Sequence, residues 1–381
     1  MPGRQKFFQL HFQLQKHAKI FDAAKDYDTL KKIKEAGIMS ITKSLFGTTP
    51  DGQRVYNYTF TDEKGQSAVL CEYACAILEL NVYGKDGRLY DVALGYDTLA
   101  EYLEDHRNFG AIIGRYANRI ANGKFTLNGV TYHLPRNNGV NTLHGGPHHF
   151  GKKLFASELH DDCVIFTLHS PDLDEGFPGN LTLREKAAFT DGTLRMSYEY
   201  TCDKDTPVSI TNHNYFNLNG HGRGSILNHT VTLNAERYCR ADDGMLALAP
   251  AVSVEGTAFD FRTPRKICDG IFAYSDDVIR ARGGYDHCFE LAGHDPDGSA
   301  SGDVTGITLE VRSDLPALQF YTGNSIGHCR GKNGAYYNDY DGFAMECGQF
   351  PNAINEPSFP DCVLRAGQLK TSFIEYKFTC R

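Results

Sequence analysis

From about residue 40 the chain runs as short apolar stretches separated by turn residues. "TPDG", "DEKG", "GKDG", "ANG", "LNG", "TDG" and "DDG" recur between them. Gly, Asn and Asp accept the backbone conformations that tight reversals demand, so this punctuation predicts many short strands. "GKFTLNGVTYHLP" reads as a hairpin, with strands over 124–127 and 130–134 around Asn128-Gly129. "AAFTDGTLRMSYEY" reads as a second, turning at Asp191-Gly192, and "ITLEVRSDLPALQFYTG" gives two more strands. Helical patterns after residue 40 are few and short. The stretch "AGHDPDGSASGDVTG" (292–306) is expected to be an exposed loop. The fold class these patterns predict is all-β, a large antiparallel β-sandwich.

The first 38 residues break the pattern. In "KIFDAAKDYDTLKKIKEAG", Ile20, Ala24, Tyr27, Leu30 and Ile33 fall near helical spacing, and Gly37 supplies a stop. Residues 1–38 therefore read as an N-terminal extension, either a helical appendage or a stretch ahead of a start at Met39. The domain itself is expected over 39–381.

Composition narrows the class. The chain has 381 residues, 41% of them hydrophobic, enough for a large core. With net charge −8 and no basic stripe, nucleic acid is an unsuitable partner. No apolar run approaches the roughly 20 residues of a membrane helix, and "MPGRQKFFQLHFQLQKHAKIF" is too interrupted for a signal peptide. The eleven cysteines are scattered without a C-x-x-C and read as reduced thiols of a cytoplasmic protein. Monomer and homodimer are both compatible with the sequence.

Five stretches concentrate polar groups beyond what a fold needs. They are "GRYANRIANGKF" with Asn118 and Arg119, "NNGVNTLHGG" with His144, "TNHNYFNLNG" with His213, "GGYDHCFEL" with Asp286, and "FAMECGQFPNAIN" with Glu346. Each has a plain structural alternative. His144 fits a turn cap, His213 a hydrogen-bonded core histidine, Asp286 a satisfied turn and Arg119 a surface ion pair. Tyr215 and Phe216 suit the core better than a ligand face. Glu346 is harder to dismiss, because a carboxylate among Phe343, Ala344, Met345 and Cys347 is costly to bury without a partner or a task. Other chemistries fit less well. There is no H-E-x-x-H, Walker loop or G-x-S-x-G elbow. His148 and His149 would face opposite sides of a strand, and "SPDLDEGFPGNL" lacks the ligand alternation of a calcium loop. No metal site and no cofactor are expected.

Seven stretches in order carry a resemblance: "GRYANRIANGKFTLNG", "NTLHGG", "SPDLDEGFPGNL", "TNHNYFNL", "GYDHCFEL", "LQFYTGN" and "ECGQFPNAIN". Over about residues 40–381 the sequence resembles the aldose 1-epimerase (galactose mutarotase) family. That resemblance implies a galactose mutarotase-like supersandwich and interconversion of the α and β anomers of a free aldohexose. It implies Glu346 as general base and His213 as general acid, with Asn118, Arg119, His144, Asp286 and Gln319 around the sugar hydroxyls. Two departures stand out. Gly151 and Phe155 occupy the neighbourhood where similar proteins carry an Asp-Lys or Asp-Arg pair and a Trp, and the N-terminal extension lies outside the resemblance. Ring opening needs a proton taken from the C1 hydroxyl and one given to the ring oxygen. A base and an acid on opposite sides of the hemiacetal, the acid as an imidazolium, would suffice. Alternatives on the same scaffold are an epimerase of phosphorylated hexoses and a sugar-binding protein without catalysis.

Overall fold

The computed structural model describes residues 40–273 and 283–380; the helix pattern read in residues 1–38 lies outside them. Among the described residues strands dominate, with two short α-helices, Leu99–Glu104 and Ile267–Ala273. The first is started by a capping box, in which Thr98 accepts from the Glu101 amide and Glu101 answers to the Thr98 backbone.

Three larger sheets organise the chain. An N-terminal meander pairs Ser40–Thr48, Arg54–Thr61, Ser67–Cys71, Ile77–Tyr83 and Leu89–Asp91 in chain order. A nine-stranded sheet runs in the order Ala156–Leu159, Val164–Ser170, Leu181–Thr190, Thr193–Cys202, Leu369–Cys380, Ile307–Ser313, Gly298–Ser301, Thr230–Leu233 and Arg265–Lys266. A five-stranded sheet, called here the site sheet, has the order Ala247–Ser253, Arg237–Ala241, Asp286–Glu290, Ala317–Tyr321 and Ala344–Gly348. Neighbours in all three are antiparallel. Phe166, Leu183, Tyr198 and Tyr376 of the nine-stranded sheet share one buried cluster with Leu318, Phe320 and Met345 of the site sheet and Tyr58 and Leu70 of the meander. Each such side chain contributes roughly 1.5–3 kcal/mol on burial. The architecture is thus the expected antiparallel sandwich.

Both sequence-read hairpins form. Strands Leu181–Thr190 and Thr193–Cys202 close at Asp191 (φ 49°) and Gly192 (φ 69°), two consecutive left-handed residues whose twist matches that of the flanking strands. The two strands of "ITLEVRSDLPALQFYTG" also form but do not pair: Ile307–Ser313 joins the nine-stranded sheet and Ala317–Tyr321 the site sheet. The stretch 292–306 departs from the expected exposed loop. Gly298–Ser301 within it is a strand, hydrogen-bonded on both sides, with Ala300 buried. Its residues are too small and polar to carry an apolar period, and the two neighbouring strands supply the order instead. All eleven cysteines are free thiols. Among the described residues no helix is long and apolar enough to cross a membrane.

Candidate active site

Alternation along the site sheet separates core from site. Successive side chains of a strand point to opposite faces. Met345 and Cys347 therefore enter the core, as do Leu318, Phe320 and Phe289. Glu346, Gln319, Tyr321, Asp286 and Cys288 stand on the other face. Registration brings them together: Gln319 lies opposite Glu346 and Cys288, and Asp286 opposite Tyr321. Gln319 Nε2 donates to Asp286 Oδ1 at 2.6 Å. The same rule applies to the strand Thr211–His213, where Thr211 and His213 face the site and Asn212 the opposite side. His213 Nε2 ends 3.6 Å from Glu346 Oε1, with both residues over nine-tenths buried.

Asn118 and His144 are fixed by each other. Both adopt left-handed backbone, φ 62° and 58°, a conformation uncommon outside Gly that Asn and His enter more readily than most residues. The His144 amide donates to the Asn118 carbonyl at 2.9 Å, and the Asn118 amide donates to His144 Nδ1 at 3.2 Å. Because Nδ1 accepts, a neutral His144 carries its proton on Nε2. The following Gly145, at φ 92°, has no room for a Cβ, which would sit 2.6 Å from the Gly114 carbonyl oxygen. Arg119 is held by a bond from its Nε to Asn138 Oδ1 at 3.0 Å.

These groups line a pocket of about 270 Å³. Asn118, Arg119, His144, His213, Asp286 and Glu346 all border it; Gln319 does not, and lies instead beneath Asp286. Burial sets the electrostatics. It pulls His213 down to about 4, with Asp286 and Asp105 opposing. It pushes Glu346 well above the usual carboxylate range, a displacement that Asp286 increases and Arg119 reduces. His144 is held well below its ordinary value by burial and then by His213 and His149. The imidazolium expected at His213 is therefore opposed by burial, although an ion pair with Glu346 at 3.6 Å would offset part of that cost. Among the described residues no group of three or more His, Cys, Asp or Glu could hold a metal ion.

A family profile described as aldose 1-epimerase matches residues 56–377. The chain belongs to the aldose 1-epimerase family. It is 37% identical to galactose mutarotase of Sus scrofa over 337 residues, 87% of this chain and 96% of that protein. It is 36% identical to aldose 1-epimerase of Escherichia coli strain K12, over 86% of this chain and 96% of that one. Among solved structures it resembles galactose 1-epimerase from Lactobacillus acidophilus NCFM, with TM-score 0.78 and 25% identity over 90% of this chain and 99% of that one. A C. elegans GalM/aldose epimerase homologue aligns with TM-score 0.77 and 27% identity, over 83% and 96% of the two chains.

Several pocket residues of this aldose 1-epimerase family member escaped sequence reasoning. His106, Arg107, Asn108, Leu143, Tyr321 and Ser325 complete the wall. Asp105 shapes the 106–108 turn by accepting from the Arg107 and Phe109 amides, and Arg107 Nε donates to the Ile326 carbonyl at 2.6 Å. A dense polar run directly after a helix stop was the one available signal. Tyr215 and Phe216 both lie in buried core clusters, as expected, and Tyr215 also borders the pocket, its ring centroid 5.0 Å from that of His213. The amides of "TNHNYFNLNG" mostly serve the backbone. Asn212 donates to the Gly110 carbonyl, Asn217 to those of Gly224 and Asp341, and Asn219 accepts from the Val304 amide. The departures at Gly151 and Phe155 stay off the pocket wall: both are buried, and Phe155 is in the main core.

Proposed function

We propose that the protein interconverts the α and β anomers of free aldohexoses such as galactose and glucose, with Glu346 as base and His213 as acid. The observation that carries this is the buried His213–Glu346 pair, 3.6 Å apart at the pocket. In a hemiacetal the hydroxyl oxygen and the ring oxygen are both bonded to C1. Two groups that must reach adjacent oxygens belong side by side, which refines the opposite-sides arrangement expected from sequence. Glu346 takes the C1 hydroxyl proton while His213 gives one to the ring oxygen, and the C1–O5 bond breaks. The open aldehyde turns about C1–C2 and closes on its other face, returning both protons.

The charge of the pair changes over the cycle. Before opening, the pair is ionic; after opening, Glu346 is protonated and His213 neutral. Burial favours the neutral arrangement, so it opposes the ionic pair from which opening starts, and the direct His213–Glu346 attraction must offset that cost. Asn118, Arg119, His144 and Asp286 would hold the remaining hydroxyls, with the neutral His144 donating from Nε2. Gln319 acts through Asp286, whose carboxylate it orients. The reading needs no metal or cofactor, and it fits a sugar as partner, without nucleic acid or membrane, in the cytoplasm.

Polarimetry of freshly dissolved α-galactose, with and without protein, tests the activity. Glu346→Gln should lower kcat by about 10²–10⁴-fold with far less change in sugar binding. Near-normal turnover would refute the base assignment. Arg107 joins Arg119 on the pocket wall, and this second guanidinium favours a hexose phosphate as a further substrate. A higher kcat/KM for galactose 6-phosphate than for galactose would make that the main substrate.

A further inference from the structure

A second, much smaller cavity of about 20 Å³ adjoins the first through Glu346 and Asn118, which line both. Thr211, Gln319, Cys288 and Gly348 also border it. That volume suits one water molecule and nothing larger. Two of its polar atoms, Thr211 Oγ1 and Gln319 Oε1, have no protein partner among the described residues. Their residues are 2% and 9% exposed. The orientation of the Gln319 amide follows from chemistry. A carboxylate only accepts, so Nε2 must face Asp286 and Oε1 must turn elsewhere. Buried polar groups of this kind are normally satisfied, and a bridging water is the usual means where a cavity is polar and roomy enough.

We propose that this cavity holds one ordered water that accepts from the Thr211 hydroxyl and donates to Gln319 Oε1 and to the Glu346 carboxylate, making Thr211 a positioning residue for the base. The inference rests on Glu346 acting as the base. Three partners fall within the two to four that a buried water commonly has. The bridge links Asp286, Gln319, water and Glu346 in a continuous chain, so the group beneath the sugar and the group that takes its proton are oriented together. A bond donated to the carboxylate stabilises its charged form and counters part of the burial effect.

Thr211→Val removes the hydroxyl at nearly constant shape, and Thr211→Ser keeps it. In Thr211→Val the acidic limb of kcat against pH should move upward by about half to one unit. Rates on that limb should fall roughly three- to tenfold, while KM for galactose stays within about twofold. Thr211→Ser should keep the wild-type limb. An unmoved limb in Thr211→Val, or an equal shift in Thr211→Ser, would overturn the proposal, because lost packing rather than a lost bridge would then be at work. Should Thr211→Val fail to fold, a high-resolution crystal structure of the wild-type protein decides. A water within hydrogen-bond distance of both Thr211 Oγ1 and Gln319 Oε1 supports the bridge, and a cavity without one refutes it. The Glu346→Gln assay separates the two failures: an inactive Glu346→Gln with an unmoved Thr211→Val limb sinks only the water.

Discussion

At the scale of single residues, burial is the dominant force on the buried ionisable groups of the site and the core. His213 and Glu346 are pushed in opposite directions toward neutrality while lying 3.6 Å apart. Their titrations are therefore coupled, and a bell-shaped kcat profile would report the pair rather than either member. His213→Asn should lower kcat by about 10²–10⁴-fold and remove the alkaline limb. The double variant with Glu346→Gln should be far less than multiplicatively worse, because losing either group already stalls the transfer. Steady-state polarimetry across pH checks both expectations. Glu185 gives a stability counterpart. It is buried in the core, its Oε1 without a partner, and burial alone pushes it from 4.5 to about 8. Between those values the unfolded chain ionises this carboxyl while the folded chain keeps it protonated. Its contribution to stability is full below pH 4.5 and is lost as pH rises through about 8. Glu185→Gln should flatten that decline, by about a kcal/mol or more at pH 8 relative to pH 5. Urea unfolding at the two pH values measures it, and parallel losses in both proteins would rule the assignment out.

At the scale of elements, a buried guanidinium locks one motif to another. Arg115 of "GRYANR" is 2% exposed. It donates to the carbonyls of Ser170, Pro171, Pro178 and Gly179 and to the Ser170 hydroxyl. Those acceptors span the stretch "SPDLDEGFPGNL", whose aspartates are engaged separately: Asp172 accepts from the Gly179 amide and Lys204, and Asp174 from the Ser170 hydroxyl and Lys153. Arg115→Met would leave several buried carbonyls without donors and should cost roughly 3 kcal/mol or more. The loss would appear as a lower urea midpoint; an unchanged midpoint would mean that the stretch holds itself.

At the scale of the whole molecule, the described fold begins with the Ser40–Thr48 strand paired to Arg54–Thr61, and the family match begins at residue 56. We propose that residues 1–38 are dispensable to the domain. A chain starting at Met39 should fold and retain its polarimetric rate. Insolubility or inactivity would place the domain boundary earlier.

The sequence by itself determined the strand-rich class, the two hairpins and the family. Turn residues are read locally, and a carboxylate in an apolar strand is conspicuous wherever the strand ends up. Seven ordered motifs then tied Glu346 to His213 by resemblance, although they are 133 positions apart in the sequence. Only the tertiary structure decided what depends on register and on contacts distant in sequence. Registration put Gln319 opposite Glu346 and under Asp286 rather than on the pocket wall. Packing brought Arg107 and Tyr321 to the pocket, set Tyr215 where the core meets the pocket and Phe216 within the core, and assigned most of the "TNHNYFNLNG" amides to the backbone. A residue's type travels with the sequence, but its solvation and its partner are properties of the folded surroundings. The protonation balance of the His213–Glu346 pair depends on both, and so belongs to the tertiary structure.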